Sequence, residues 1–287
     1  MRRGAVRRAL LALLLAAPAV THAADSGIPG VLLEGEWRQG SVLRGQVPPG
    51  ARVWLDGREL RVTTDGRFVF GLHRDAAPEA ELSVQLPDEP AALTMKADVA
   101  RREYAIQRID GLPPKMVSPP PEVQRRIEAE RRLVARARER DSALTGFAEA
   151  FVWPCVGPIS GVFGSQRILN GTPKQPHYGV DVAVPTGTPV RAPASGVVSL
   201  AHPDMYYTGG TLMIDHGHGL SSAFLHLSEL LVDDGDTVRQ GDLIGKVGAT
   251  GRATGAHLDW RVNWFDARVD AQLLVPPMEA VRGSGAR

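Results

Sequence analysis

Cysteine is nearly absent from this chain of 287 residues: Cys155 stands alone. No intrachain disulfide can form, so a disulfide-stapled scaffold is excluded. Its setting, Trp153-Pro154-Cys155-Val156, reads as a small buried apolar residue rather than a nucleophile. Lysine is scarce as well: of 33 basic residues only Lys96, Lys115, Lys174 and Lys246 are lysine. Acidic residues number 32, leaving a formal net charge of +1. No global field of one sign therefore points to nucleic acid as a partner. Long apolar runs are missing too. The run from Ala9 to Val20 is too short to span a bilayer comfortably, and no later stretch is long and apolar enough to do so.

What is present is turn chemistry and a processed-looking start. Thirty-one glycines and 22 prolines imply many turns and favour a β-rich chain. Arg2, Arg3, Arg7 and Arg8 precede the apolar run, and Thr21-His22-Ala23 places small residues at −3 and −1 of a cleavage point after Ala23. That is the layout of a secretory signal peptide over residues 1–23. It predicts a mature protein outside the cytoplasm, most simply periplasmic, and not membrane-spanning once the signal is removed.

The length suits two modules and a connector. Residues 27–108 read as a small immunoglobulin-like β-sandwich. Ala51–Leu55 and Glu59–Thr63 alternate around Asp56-Gly57, and Asp65-Gly66 marks a second hairpin before Arg67–Phe70. Residues 109–148 hold a connector. Gly111-Leu-Pro-Pro and Ser118-Pro-Pro-Pro121 form a stiff linker, and the spacing of Val123, Ile127, Val134 and Ala137 predicts a helix over Glu122 to Leu144, with Glu128 and Arg132 able to pair four apart. Short strands resume over 149–275, and 276–287 reads as a flexible tail.

The chemistry lies in that second β region. In His177-Tyr-Gly-Val-Asp181 the valines Val180, Val182 and Val184 alternate toward a core, so His177, Gly179 and Asp181 share the opposite face. Gly179 has no side chain, which leaves room for an ion, and an imidazole beside a carboxylate is a plausible pair of zinc ligands. In His257-Leu-Asp-Trp-Arg-Val262 the core positions are Leu258, Trp260 and Val262, and His257 and Asp259 share the polar face. His226 occupies a third such strand, whose other face carries Ala223, Leu225 and Leu227.

The order His177-xxx-Asp181, Asp215-His-Gly-His-Gly219, His226-Leu-Ser228, Gly241-Asp-Leu-Ile-Gly245 and Gly251-Arg-Ala-Thr-Gly-Ala-His257 resembles the lysostaphin-type (LytM-like) metalloendopeptidases, over about Pro154 to Leu274. The resemblance implies a mainly β chain with a C-terminal β-barrel/sandwich hybrid (LytM-like) domain over 149–275, one Zn²⁺ per chain, and hydrolysis of peptide stems or cross-links of bacterial peptidoglycan. Carried over residue by residue, it implies His177 and Asp181 as metal ligands and His226 and His257 as catalytic. Arg167 and Asn170, in the segment Gly161–Gly171, are implied to line the substrate groove. One position departs from the family: Asp259 stands where a second histidine of His-x-His is usual. A carboxylate can still hold zinc, but two carboxylates bring the formal charge of the site to zero, which predicts weaker Lewis-acid help. The alternative reading is a catalytically degenerate relative that binds and activates another cell-wall hydrolase.

His216 and His218 have ligand-like spacing but read as residues of a Gly-rich turn after a strand over Thr211–Ile214, and His202 as a surface loop residue. Tyr206, Tyr207 and Trp264 read as core or rim packing. A biotinyl or lipoyl carrier is set aside, because Lys246 lies within a strand rather than at a hairpin tip.

Overall fold

The computed structural model describes residues 24–25, 27–111 and 120–284. The signal-peptide reading of residues 1–23, most of the proline-rich linker and the last three residues of the tail lie outside the described residues; the rest of the expected flexible tail is instead ordered, with a helix over Met278–Ser284 whose Met278 is buried in the main core. The chain is mainly β, as its alternation and turn residues predict. The amino-terminal region holds two four-stranded antiparallel sheets. One runs Ala24–Asp25, Leu32–Glu34, Val42–Gln46, Arg67–Gly71; the other runs Arg58–Leu60, Arg52–Leu55, Glu79–Gln85, Leu93–Asp98. The Asp56-Gly57 turn joins Arg52–Leu55 to Arg58–Leu60 as a tight hairpin, with both turn residues at positive φ.

The second region is one large antiparallel sheet. Its main path runs Ile159–Gly161, Val180–Val182, Leu258–Trp264, Leu220–Leu230, Gly209–Gly217, Gly196–Met205, Thr237–Val238. Val180, Val182, Leu258, Trp260 and Val262 are fully buried, as their alternation requires. The strand Leu220–Leu230 behaves differently from its sequence pattern. Phe224 and Leu227 enter the main core, whereas Ala223 and Leu225 join a separate cluster under the long helix. Leu227 therefore does not share a face with Ala223 and Leu225. The register against the neighbouring strand shifts between the Gly210–Leu227 and Leu212–Phe224 pairs. His226, within that irregularity, sits at φ 64°, and a bulge of this kind re-aims the side chains beyond it.

The connector helix spans Pro121–Arg138, ending six residues before the expected Leu144. Tertiary contacts capture the chain beyond it. Asp141 accepts from Arg61 at 2.8 Å, and the Ser142 carbonyl accepts from the His218 amide. Ile127 and Ala137 are the helix's buried residues, and Ala137 packs with Leu200, Met205, Met213, Ala223 and Leu225. No described helix is long and apolar enough to cross a membrane. Cys155 is buried, and burial pushes its thiol up to about 12, the mark of an unreactive cysteine.

The two β regions share one hydrophobic core, which runs from Leu43, Phe68 and Phe70 to Trp264 and Val269. Arginines tie them further. Arg44 donates to the Phe147 carbonyl at 2.7 Å, and Arg74 donates to the Gly164 carbonyl at 2.9 and 2.7 Å. The segment Ile106–Ile109 pairs in parallel with Gln166–Leu169, the strand that carries Arg167.

Candidate metal centre

Register places the two carboxylates. Asp181 and Asp259 are direct cross-strand partners on the adjacent strands Val180–Val182 and Leu258–Trp264. Like charges directly opposite repel, so the pair needs cationic company. Two glycines make room for it. A Cβ on Gly179 would strike Asp259 Oδ1, and a Cβ on Gly161 would strike Asp181 Oδ2. The space beside Gly179 thus belongs to the Asp259 carboxylate, a tighter constraint than the room for an ion that its sequence position implies.

His177 precedes the Asp181 strand and is buried. Its Nδ1 lies 3.3 Å from the Val162 carbonyl, which leaves Nε2 aimed at the carboxylates. Nε2 is 3.0 Å from Asp181 Oδ1 and 3.5 Å from Asp259 Oδ2. Ligand atoms of the three residues all lie within 4.8 Å of one another. A tetrahedral ion with bonds of ~2.0–2.1 Å sets its ligands about 3.3 Å apart, and these separations suit that spacing. The hydrogen bonding agrees. His177 Nε2 and Asp181 Oδ1 are buried atoms without a hydrogen-bond partner, a condition proteins avoid unless something else satisfies them. The donor set fits a divalent cation such as zinc.

Asp259 is held from the other side as well. Arg261 donates from its terminal nitrogen to Asp259 Oδ2 at 2.6 Å and from Nε to Oδ1 at 3.0 Å. Arg167 lies 3.4 Å from Asp181 Oδ2. The charge count that counted only the ion and its carboxylates therefore omits two guanidinium groups. Burial alone would raise the Asp259 carboxyl, but Arg261 and His177 hold it well below the usual carboxylate range. Burial opposes protonation of His177, and Asp259 and Asp181 outweigh it, so that ring's pKa is raised.

Two further imidazoles face the cluster. His226 Nδ1 lies 2.8 Å from the Thr250 carbonyl and His257 Nδ1 lies 2.9 Å from the Gly255 carbonyl. Both rings then present Nε2 as an acceptor. Their centroids are 4.9 Å apart, and His257 Nε2 is 3.9 Å from Asp181 Oδ1. Burial lowers the pKa of His226, which keeps it neutral. The left-handed backbone at His226 is a strained state for a residue with a Cβ.

A cavity of about 220 Å³ opens on this cluster, lined by Asp181, His226, His257, Arg167, Gln107 and Arg252 among others. Arg167 thus reaches the groove, donating also to Gln107 Oε1 at 3.3 Å. Asn170 sits at φ 46° in the exposed turn after Gln166–Leu169 and lines neither this cavity nor the larger one beside it. His216 lies within the strand Gly209–Gly217 rather than in the turn after it, bonded to the Ser195 carbonyl and Ser222 Oγ at 2.9 Å each. His218 bonds the Arg61 carbonyl at 2.8 Å. His202 lies in the strand Gly196–Met205 rather than in a loop. Sequence reasoning missed Arg261. Its signal was present, since residue 261 has the same strand parity as His257 and Asp259.

The sequence profile of peptidase family M23 matches residues 175–271. Among curated proteins, the chain is 38% identical over 131 residues to the peptidoglycan DD-endopeptidase ShyA of Vibrio cholerae, covering 42% of this chain and 30% of that one. It is 42% identical over 100 residues to the DD-carboxypeptidase/endopeptidase Mpg of Neisseria meningitidis, covering 35% of this chain and 22% of the relative. These matches span less than a third of the relatives' length. Among solved structures, a Pseudomonas aeruginosa chain assigned to peptidase M23 superposes with a TM-score of 0.66 at 32% identity, covering 83% of this chain and 95% of that one. With the His177/Asp181/Asp259 cluster lying inside the profile match, the chain belongs to peptidase family M23.

Proposed function

We propose that this chain is an exported, zinc-dependent endopeptidase that hydrolyses peptide bonds of bacterial peptidoglycan. The observation that carries the reading is the convergence of two buried ligand atoms that lack a well-formed hydrogen bond, His177 Nε2 and Asp181 Oδ1, 3.0 Å apart, with Asp259 beside two catalytic-type imidazoles. His177, Asp181 and Asp259 would hold the ion. Its chemistry when bound would be to polarise the scissile carbonyl and to make water a better nucleophile near neutral pH. His226 and His257 present two acceptor Nε2 atoms, which can take both hydrogens of one attacking water and so aim its lone pair at the carbonyl carbon. One of these two Nε2 atoms would take the water's proton and pass it to the leaving amine nitrogen. The wall made by Arg167 and Gln107 closes one side of the groove. The relatives named as peptidoglycan DD-endopeptidases and the signal-like amino terminus support a cell-wall substrate reached after export.

The Asp259–Arg261 pair supports a second reading. Arg261 satisfies both Asp259 oxygens without any ion, as a metal-free activator of another hydrolase would allow. Elemental analysis of the purified chain together with digestion of isolated sacculi decides between them. The peptidase reading expects about one divalent ion per chain, and peptide cleavage that His177→Ala removes. Metal-free protein, inert on sacculi yet stimulating a partner hydrolase, establishes the second reading instead.

A further inference from the structure

Beside the cluster lies a larger cavity of about 480 Å³, roofed by the long helix. Its charge is one-sided. Arg131 from the helix, Lys174 from the turn before His177, and Arg252 from the loop before His257 line it, with Arg167 and Arg261 on the cluster side. Among the described residues that line it there is no aspartate or glutamate. Five cations from separate chain segments converge on one space, although the chain as a whole carries a net charge of only +1.

Two of the five are matched within the cluster, Arg167 with Asp181 and Arg261 with Asp259. Arg131 and Lys174 make no ion pair among the described residues. The Arg252 guanidinium stacks over the Tyr207 ring at 4.5 Å, which fixes its plane. Burial, with Arg167 and Arg261 nearby, lowers its pKa. Collecting like charges in a partly enclosed space is unfavourable unless an anion enters it, and such a space concentrates anions. The two cavities adjoin: Arg167, Leu169, His226 and Arg252 line both. An occupant of the basic cavity therefore meets His226 beside the cluster, which favours part of the substrate over an unrelated polymer.

We propose that this cavity is a carboxylate-binding subsite, so that the chain selects peptides bearing a free carboxylate near the scissile bond over neutral ones. Planar guanidinium groups such as Arg252 and Arg131 match a carboxylate in two-point contact. A peptide whose carboxylates are free is anionic, whereas its carboxamide form is neutral. The inference rests on the peptidase reading for the identity of the occupant, but its test does not depend on turnover.

The test is equilibrium binding of a fluorescent stem-type peptide to the full chain, metal-loaded and chelator-treated, with the peptide's carboxylates free or converted to carboxamides. Amidation is expected to weaken binding about tenfold or more, the loss typical of a charge-assisted contact. Raising the salt should narrow that gap. In the double variant Arg131→Gln/Arg252→Gln the acid and the amide should bind within about twofold of each other, with the far-ultraviolet circular dichroism spectrum unchanged. Arg252→Lys, which keeps the charge, should retain part of the preference. Equal binding of acid and amide by the wild type, no binding of the acid form, or an undiminished preference in the double variant each overturns the subsite. Discrimination without cleavage of sacculi would sink the peptidase reading and leave the subsite standing; cleavage without discrimination does the reverse.

Discussion

At position 259 a carboxylate stands where the family resemblance implies an imidazole, and its neighbour two residues on decides what that means. Counted alone, Asp259 lowers the charge of the site. With Arg261 bonded to both of its oxygens, the pair is neutral, as an imidazole is. Asp259→His then does not restore the family's usual centre. It strands the Arg261 guanidinium, about a fifth of which is exposed, beside a cation. Breaking such a pair costs about 3 kcal/mol. We expect Asp259→His to bind zinc at least about tenfold more weakly than the wild type in competition with a chelator, and Asp259→His/Arg261→Gln to recover most of that loss. Tighter binding by the single variant would refute the compensation.

His216 gives a second residue-scale prediction. Burial drops its pKa from 6.5 to about 4. Between those values the unfolded chain takes up a proton that the folded chain refuses, so stability is complete above pH 6.5 and is lost as pH falls toward 4. The shift corresponds to about 3 kcal/mol. Urea unfolding at pH 7 and pH 4.5 should show a larger acid-induced loss for the wild type than for His216→Gln. Equal losses in the two proteins would remove His216 as the cause.

At the scale of elements, the site depends on how closely two strands and a turn approach. At Gly179 and Gly161 an added side chain would strike a carboxylate of the cluster itself. Gly179→Ala should cost about 1–3 kcal/mol and abolish stoichiometric metal binding, read by thermal melting and elemental analysis. Gly283→Ala, whose added methyl meets nothing within 4 Å, should do neither. A Gly179→Ala protein that still binds one ion would show that Asp259 is not needed in its present place. The bulge at His226 acts at the same scale, since it separates the face of Leu227 from that of Leu225 and turns the imidazole into the groove.

Across the whole molecule, the amino-terminal sandwich is packed onto the peptidase region rather than tethered to it. A Cβ on Gly71 would come within 2.7 Å of Trp264 Cβ and 2.8 Å of Val269 Cγ1. Arg74 holds the Gly164 carbonyl, three residues before Arg167. Shared core implies shared cooperativity. Calorimetry should show one unfolding transition, and Gly71→Val should lower its midpoint as a whole; two separate transitions would refute the shared core.

Periodicity and residue type alone determined a good part of this. The alternation of Val180 with Val182 and of Leu258, Trp260 and Val262 named the strands, and strand parity put Asp181 and Asp259 on the face opposite those apolar residues; His177 and His257 lie just before the strands, so parity alone did not place them. Those are local properties, set by the two-residue repeat of an extended chain. Tertiary structure decided the rest. The opposition of Asp181 and Asp259, the capture of Asp259 by Arg261, the early end of the helix at Arg138 and the basic cavity under it all depend on register and packing between segments far apart in sequence. Pairing energies of that kind belong to no single stretch of chain, so no single stretch could reveal them.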